Sequence, residues 1–186
     1  KKLDYGREYS LVEVQAPYGM YYDSTPVSFD VTEENSTQEG GITLIKVDKP
    51  NMAQKGTISV EKTGEVFFGV NVSGEEDEDV IYQPVYKVKG LAGAVYEITA
   101  DEDVITPDGT LRYHKGDVVD TVTTNEDGTA KSKELYLGKY TVVETKAPTG
   151  MVINKEKHSV ELTYAGQDVA VTETATSFVN ERQKVK

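Results

Sequence analysis

Cysteine and tryptophan are both absent from this 186-residue sequence. Without cysteine there are no disulfides, no thiol nucleophiles and no thiolate-ligated metal sites. The two histidines, His114 and His158, are isolated from each other and from any nucleophile in motif. No metal site is expected, and both read as ordinary surface residues. No run of about 18 apolar residues occurs, so no helical membrane span is expected. Helical periodicity is lacking throughout. There is no Gly-x-Ser-x-Gly elbow and no phosphate-cradling glycine loop, so neither a hydrolase nor a cofactor is expected. Basic residues are in deficit: 20 Lys and Arg stand against 32 Asp and Glu, a net charge of −12. That balance argues against nucleic acid and anionic membrane surfaces as partners, and suits a solvated exterior.

What is present reads as strand. Tyrosine is abundant (12 residues), and short Val- and Thr-rich stretches alternate apolar and polar positions between turns. Val27, Phe29 and Val31 alternate, and Gly41–Val47 is a further strand after the polar loop Glu33–Gly41. Gly56–Lys62 alternates with Ile58, Val60 and Lys62 on one face. Residues 64–89 read as an extra pair of strands, Glu65–Val72 and Val80–Val88, joined by an acidic tip. That tip lacks the spaced ligand pattern of a calcium loop and is expected to be solvated. Asp-Gly pairs mark turns at Thr106–Thr110 and Asn125–Thr129, with Asp117–Thr123 between them. His158–Tyr164, Val169–Thr172 and Thr176–Gln183 follow. Short strands and turns of this kind imply an all-β sandwich.

The sequence is organised by Tyr140–Met151, YTVVETKAPTGM. It opens as a strand with Tyr140, Val142 and Glu144 on one face, and Pro148 and Gly150 end it. An acid in an apolar row is costly unless it is neutralised or used. Tyr9–Met20, YSLVEVQAPYGM, repeats the same Tyr, Val, Glu, Ala, Pro, Gly and Met at identical spacing, 131 positions earlier. A repeat at domain-sized spacing means two copies of one module. In the earlier copy Glu13 shares its face with Tyr9 and Leu11.

This pattern resembles the E-box of the SpaA/Cna B-type domains of Gram-positive surface proteins and pilins, Tyr-x-Leu-x-Glu-Thr-x-Ala-Pro-x-Gly-Tyr, with Met20 and Met151 in place of the final aromatic. Gly90–Ile98, GLAGAVYEI, is similar to a second element of that family. The resemblance implies a prealbumin-like (Ig-like) β-sandwich and a stalk or adhesin role. It further implies a self-formed Lys–Asn isopeptide bond, with Lys62 as nucleophile, Glu144 as proton shuttle and Asn180, on the last strand in phase with Phe178, as electrophile. Burial favours the uncharged forms of amine and acid. A neutral Glu144 is expected to donate to the Asn180 side-chain carbonyl. Lys87 competes with Lys62, because residues 64–89 separate Lys62 from Leu91, but its phase reads as outward-facing. Glu13 and Asn51 are the corresponding residues of the earlier copy, whose lysine is not in this sequence.

The expected organisation is a partial module at 1–54, a complete one at 55–183 with an inserted hairpin at 64–89, and the start of a linker at 184–186. The sequence opens at Lys1-Lys2 in mid-module with no leader or sorting signal read, which suggests a piece of a larger protein. Residues 1–54 are expected to be disordered, to dock on the second module or to pair with another chain. The expected role is a structural stalk or adhesin module of a cell-wall-anchored extracellular protein, not a turnover enzyme, whose partners are neighbouring modules. The alternative is a domain recognising a host matrix protein or glycan through 64–89.

Overall fold

The computed structural model describes residues 3–74 and 79–184. Most of the acidic tip therefore lies outside the described residues, as does the end of the 184–186 segment. The first part of the chain builds three two-stranded pieces. Strands β1 (Glu8–Leu11), β2 (Met20–Tyr21), β3 (Val27–Asp30), β4 (Thr37–Glu39), β5 (Ile42–Leu44) and β6 (Met52–Ala53) pair as β1 with β3, β2 with β6 and β4 with β5. The stretch read as a polar loop over Glu33–Gly41 thus contains one strand of a hairpin, because Gly40 and Gly41 adopt the positive φ that a tight reversal requires.

The rest of the chain supplies β7 (Lys55–Ser73), β8 (Ile81–Gly90), β9 (Val95–Ala100), β10 (Val104–Ile105), β11 (Leu111–Tyr113), β12 (Val118–Thr123), β13 (Thr129–Lys131), β14 (Leu135–Tyr136), β15 (Gly138–Lys146), β16 (Lys157–Leu162) and β17 (Val171–Asn180). One sheet runs β12-β9-β15-β16. The other is built on β7, which pairs with β13, β14, β17 and β8. Period-two alternation turns Tyr96 and Ile98 of β9, Tyr140 and Val142 of β15, Ile58 and Val60 of β7 and Phe178 of β17 into one shared core. Each such side chain contributes roughly 1.5–3 kcal/mol of hydrophobic stabilisation.

Two expectations are corrected here. Residues 64–73 are not a separate inserted strand but the outer half of β7, which is 19 residues long. Gly64 is held extended by pairing with Asn180 on one side and Lys89 on the other, so the strand runs out of the sandwich and returns as β8. Likewise 169–172 and 176–183 are not two strands. Val171–Asn180 is one strand, held straight by ten consecutive parallel pairings with β7 from Val171↔Lys55 to Asn180↔Gly64. A parallel pairing between segments so distant in sequence leaves no local signature.

Candidate functional site

Lys62, Glu144 and Asn180 come from three strands in two facing sheets. Lys62 continues the inward row of Ile58 and Val60 on β7, Glu144 that of Tyr140 and Val142 on β15, and Asn180 that of Phe178 on β17. The side chains of Lys62 and Glu144 are 0% exposed, and Asn180 is equally buried. Lys62 Nζ lies 3.3 Å from Glu144 Oε1 and donates to Asn180 Oδ1. Asn180 Nδ2 donates to both Glu144 oxygens, 2.9 Å from each. The carboxylate therefore faces the amide nitrogen of Asn180. The expected donation from Glu144 to the amide carbonyl is not what the structure has, because Lys62 takes that oxygen.

Burial drives the pKa of Lys62 down, with the Glu144 carboxylate acting against that shift. An amine so placed loses its proton more readily and becomes a nucleophile. Aromatic rings enclose it. Phe178 has its ring centroid 5.8 Å from Nζ, Tyr96 packs on Phe178, and His158 stacks on the same ring at 3.8 Å. His158 is thus no ordinary surface residue. Its Nδ1 also lies 2.7 Å from Thr176 Oγ1, on β17.

The sequence distance between Lys62 and Leu91 vanishes in space. Because β7 runs out and β8 returns, Thr63 pairs with Gly90, and Leu91 N donates to Lys62 O at 2.9 Å. From the other side Lys62 N donates to Gly128 O at 2.7 Å. These approaches need glycine: a Cβ on Gly128, whose φ is +80°, would stand 2.3 Å from Lys62 O, and one on Gly90 1.9 Å from Asp127 O. Lys87 projects from the exposed face of β8 with Nζ 3.2 Å from the centre of the Phe68 ring.

Two contributors carry no sequence signal. Asn154 donates its backbone N–H to Glu144 Oε2 at 2.6 Å, and its side-chain Nδ2 reaches Val179 O at 3.2 Å, tying the acid to β17. A backbone donor is anonymous in sequence. Tyr96 buries a hydroxyl with no hydrogen-bond partner, and burial, followed by the charge of Glu144, pushes its pKa up. Its inward phase on β9 could have placed it there; its position beside the acid could not have been read.

Glu13 and Asn51 stand in matching positions of the earlier copy. The β1–β3 pairing Tyr9↔Phe29 reproduces Tyr140↔Val160, and the Met20↔Ala53 pairing reproduces the bridge Met151↔Arg182. The turn hydrogen bonds repeat as well, Met20 N to Pro17 O with Met151 N to Pro148 O, and Gln54 N to Gly19 O with Gln183 N to Gly150 O. Among the described residues, however, no lysine meets Glu13 Oε2 or Asn51 Oδ1. Glu13 Oε2 and Asn51 Oδ1 are buried without partners.

The molecule is thus an all-β sandwich with an amine, an acid and an amide buried together between its two sheets. Residues 85–176 match the SpaA prealbumin-like fold domain. The chain carries a domain of that family. Solved structures similar to it include the Bacillus anthracis TIE protein, at 23% identity and TM-score 0.49 over 95% of this chain and 25% of that one. The full-length major pilin SpaD from Corynebacterium diphtheriae is 24% identical with TM-score 0.43, over 69% of this chain and 32% of the pilin. GBS52, the minor pilin of Streptococcus agalactiae, is 16% identical with TM-score 0.42, over 94% and 64%. The chain thus spans about a quarter to two thirds of the length of these structures. No curated protein matches it.

Proposed function

We propose that this chain is a load-bearing structural module of a Gram-positive cell-surface protein of pilin or adhesin type, and that its second module, residues 55–183, closes itself with a Lys62–Asn180 isopeptide bond. The observation that carries this reading is the enclosure of the Lys62 amine, the Glu144 carboxyl group and the Asn180 amide in one buried contact. The Nζ lone pair attacks Asn180 Cγ. Glu144 takes a proton from the attacking amine and delivers it to Nδ2, the nitrogen it already faces. The Cγ–Nδ2 bond breaks, ammonia leaves, and an Nζ–Cγ amide remains. Rigid placement of nucleophile and electrophile supplies the rate, and each molecule reacts once.

The topology gives the bond a mechanical use. Load entering at Lys55 and leaving beyond Asn180 would otherwise shear the parallel β7–β17 ladder. With the bond in place, force passes from Lys62 to Asn180 and residues 63–179 carry none of it. Intact mass with peptide mapping tests the proposal. The expected result is a mass low by one ammonia and a branched peptide joining Lys62 to Asn180, both lost in Lys62→Ala. An unshifted mass with no branched peptide overturns it.

One observation favours a second use on the same scaffold. The ribbon formed by outer β7 and β8 exposes Phe67, Phe68, Val72, Ile81 and Tyr82. An apolar surface of this kind suits docking to a matrix protein or glycan. Binding on a ligand array that disappears when the ribbon is shortened to a tight turn supports that use; binding that persists excludes the ribbon.

A further inference from the structure

Residues 147–156 connect β15 and β16 of one sheet, yet on the way they run beside the end of β17 in the other. Met151 bridges Arg182 in antiparallel sense. On either side of that bridge Gln183 N donates to Gly150 O and Val152 N to Glu181 O, both at 2.8 Å. An antiparallel ladder repeats this pattern every two residues, so its next donor is the Asn154 backbone N–H and its next acceptor Val179 O. The structure departs from that ladder at one atom. Val179 O accepts from Asn154 Nδ2, the side-chain amide, at 3.2 Å, and the backbone N–H turns to Glu144 Oε2 at 2.6 Å. The side-chain amide stands in for the backbone amide. β17 keeps its donor, and the N–H is released to the acid.

That exchange makes the two oxygens of Glu144 unequal. Both face Asn180 Nδ2 at 2.9 Å. Oε2 holds in addition the Asn154 N–H, a donor whose hydrogen takes no part in the reaction. Oε1 has Lys62 Nζ at 3.3 Å. In a carboxyl group that carries a proton, one oxygen is the O–H donor and the other remains an acceptor, and a close N–H favours the acceptor. The proton therefore belongs on Oε1, within reach both of the amine that yields it and of the amide nitrogen that receives it. The last torsion of a glutamate is broad in its preferences, so the carboxyl group turns easily unless held. The Asn154 N–H holds it. Asn154 is fixed in its turn, because Glu156 N donates to its Oδ1 at 2.9 Å.

We propose that Asn154 is a positioning residue for closure of the Lys62–Asn180 bond, and that it fixes the Glu144 carboxyl group so that Oε1 relays the proton. The inference rests on the isopeptide chemistry proposed for the second module. In that step Nζ bonds to Asn180 Cγ, one proton passes from Nζ to Oε1 and one from Oε1 to Nδ2, the Cγ–Nδ2 bond breaks, and ammonia leaves. Asn154 acts through Glu144 rather than on the amine or the amide. Its anchor, Val179, is the chain neighbour of Asn180, so one strand end holds both the electrophile and the clamp on the acid.

The test follows bond closure in time. The full chain is made by cell-free synthesis, translation is stopped, and samples quenched in acid at successive times are read by intact mass for the loss of one ammonia. Asn154→Ala removes the side-chain donor. Asn154→Asp keeps an acceptor for Glu156 N but offers no N–H to Val179 O. Both are expected to close about ten- to a hundredfold more slowly than the wild type. A residue that only supports the fold would act on stability instead. Each substitution is therefore also placed in Lys62→Met, where no bond forms and the melting temperature reads the fold alone. There the expected shift is at most about 5 °C, the worth of one hydrogen bond. Closure at the wild-type rate in either variant overturns the proposal. So does a fall of more than about 10 °C in the Lys62→Met background, which makes Asn154 a support of the fold. A wild-type chain that never loses ammonia refutes the isopeptide reading itself, and the positioning role with it.

Discussion

Replacing Glu144 by glutamine removes the proton carrier while keeping both reacting side chains and an oxygen for the Asn154 backbone N–H, so Glu144→Gln is expected to fold without forming the bond. Lys62 and Asn180 are 118 positions apart. Closing a ring of that size stabilises by about 5 kcal/mol in the chain-entropy account. For a chain of this length 1 kcal/mol corresponds to roughly 2–4 °C, so the melting temperature should fall by about 10–20 °C. A second signature follows from the freed amine. Burial holds the Lys62 pKa below its ordinary 10.5 in the folded state. The unfolded chain therefore binds more protons, and stability rises with pH up to about 10.5, by at most about 1.4 kcal/mol per pH unit. The bonded protein has no amine there and lacks this slope. Measurements belong between about pH 7 and 10, because the buried Tyr96 and Tyr140, whose pKa values are pushed up, lower stability as pH rises above about 10. Lys62→Met is the control, unbonded and without the slope. Intact mass and thermal unfolding across this range decide the matter. A Glu144→Gln protein with the ammonia-depleted mass and the wild-type melting temperature would refute the reasoning.

Other consequences are independent. Gly128→Ala forces a side chain onto Lys62 O at a left-handed backbone position and should destabilise by about 2–5 kcal/mol, read by denaturant unfolding. Tyr140→Phe removes the hydroxyl donated to Tyr136 O and should cost about 1 kcal/mol, whereas Tyr96→Phe removes an unpartnered hydroxyl and should be neutral or stabilising in the same assay. Gln54→Ala removes a buried side chain that donates to Gly166 O and Val169 O and accepts from Ala165 N. It should cost about 2–3 kcal/mol and raise hydrogen exchange at Ala165.

How much of this was legible in advance depended on whether the physics was local. Period-two alternation put Ile58, Val60 and Lys62 on one face, and Tyr140, Val142 and Glu144 on another, because the pleat alone decides which way successive side chains point. The repeat of Tyr9–Met20 in Tyr140–Met151 was equally plain, since a strand ending in a Pro–Gly turn writes itself into adjacent letters. Phase alone also turned Lys87 outward. Tertiary structure decided what no stretch could announce. It ran β7 straight through Gly64, so that residues 64–89 leave and return at Lys62 and bring Leu91 to its backbone. It joined two expected strands into β17 by pairing them with a segment more than a hundred positions away. It brought the Asn154 backbone and the Tyr96 hydroxyl to Glu144, turned that carboxylate toward the amide nitrogen, and laid His158 on Phe178. Strand direction and turn chemistry arise from neighbours in the chain; enclosure and the partner of a buried charge arise only when distant strands meet across a core.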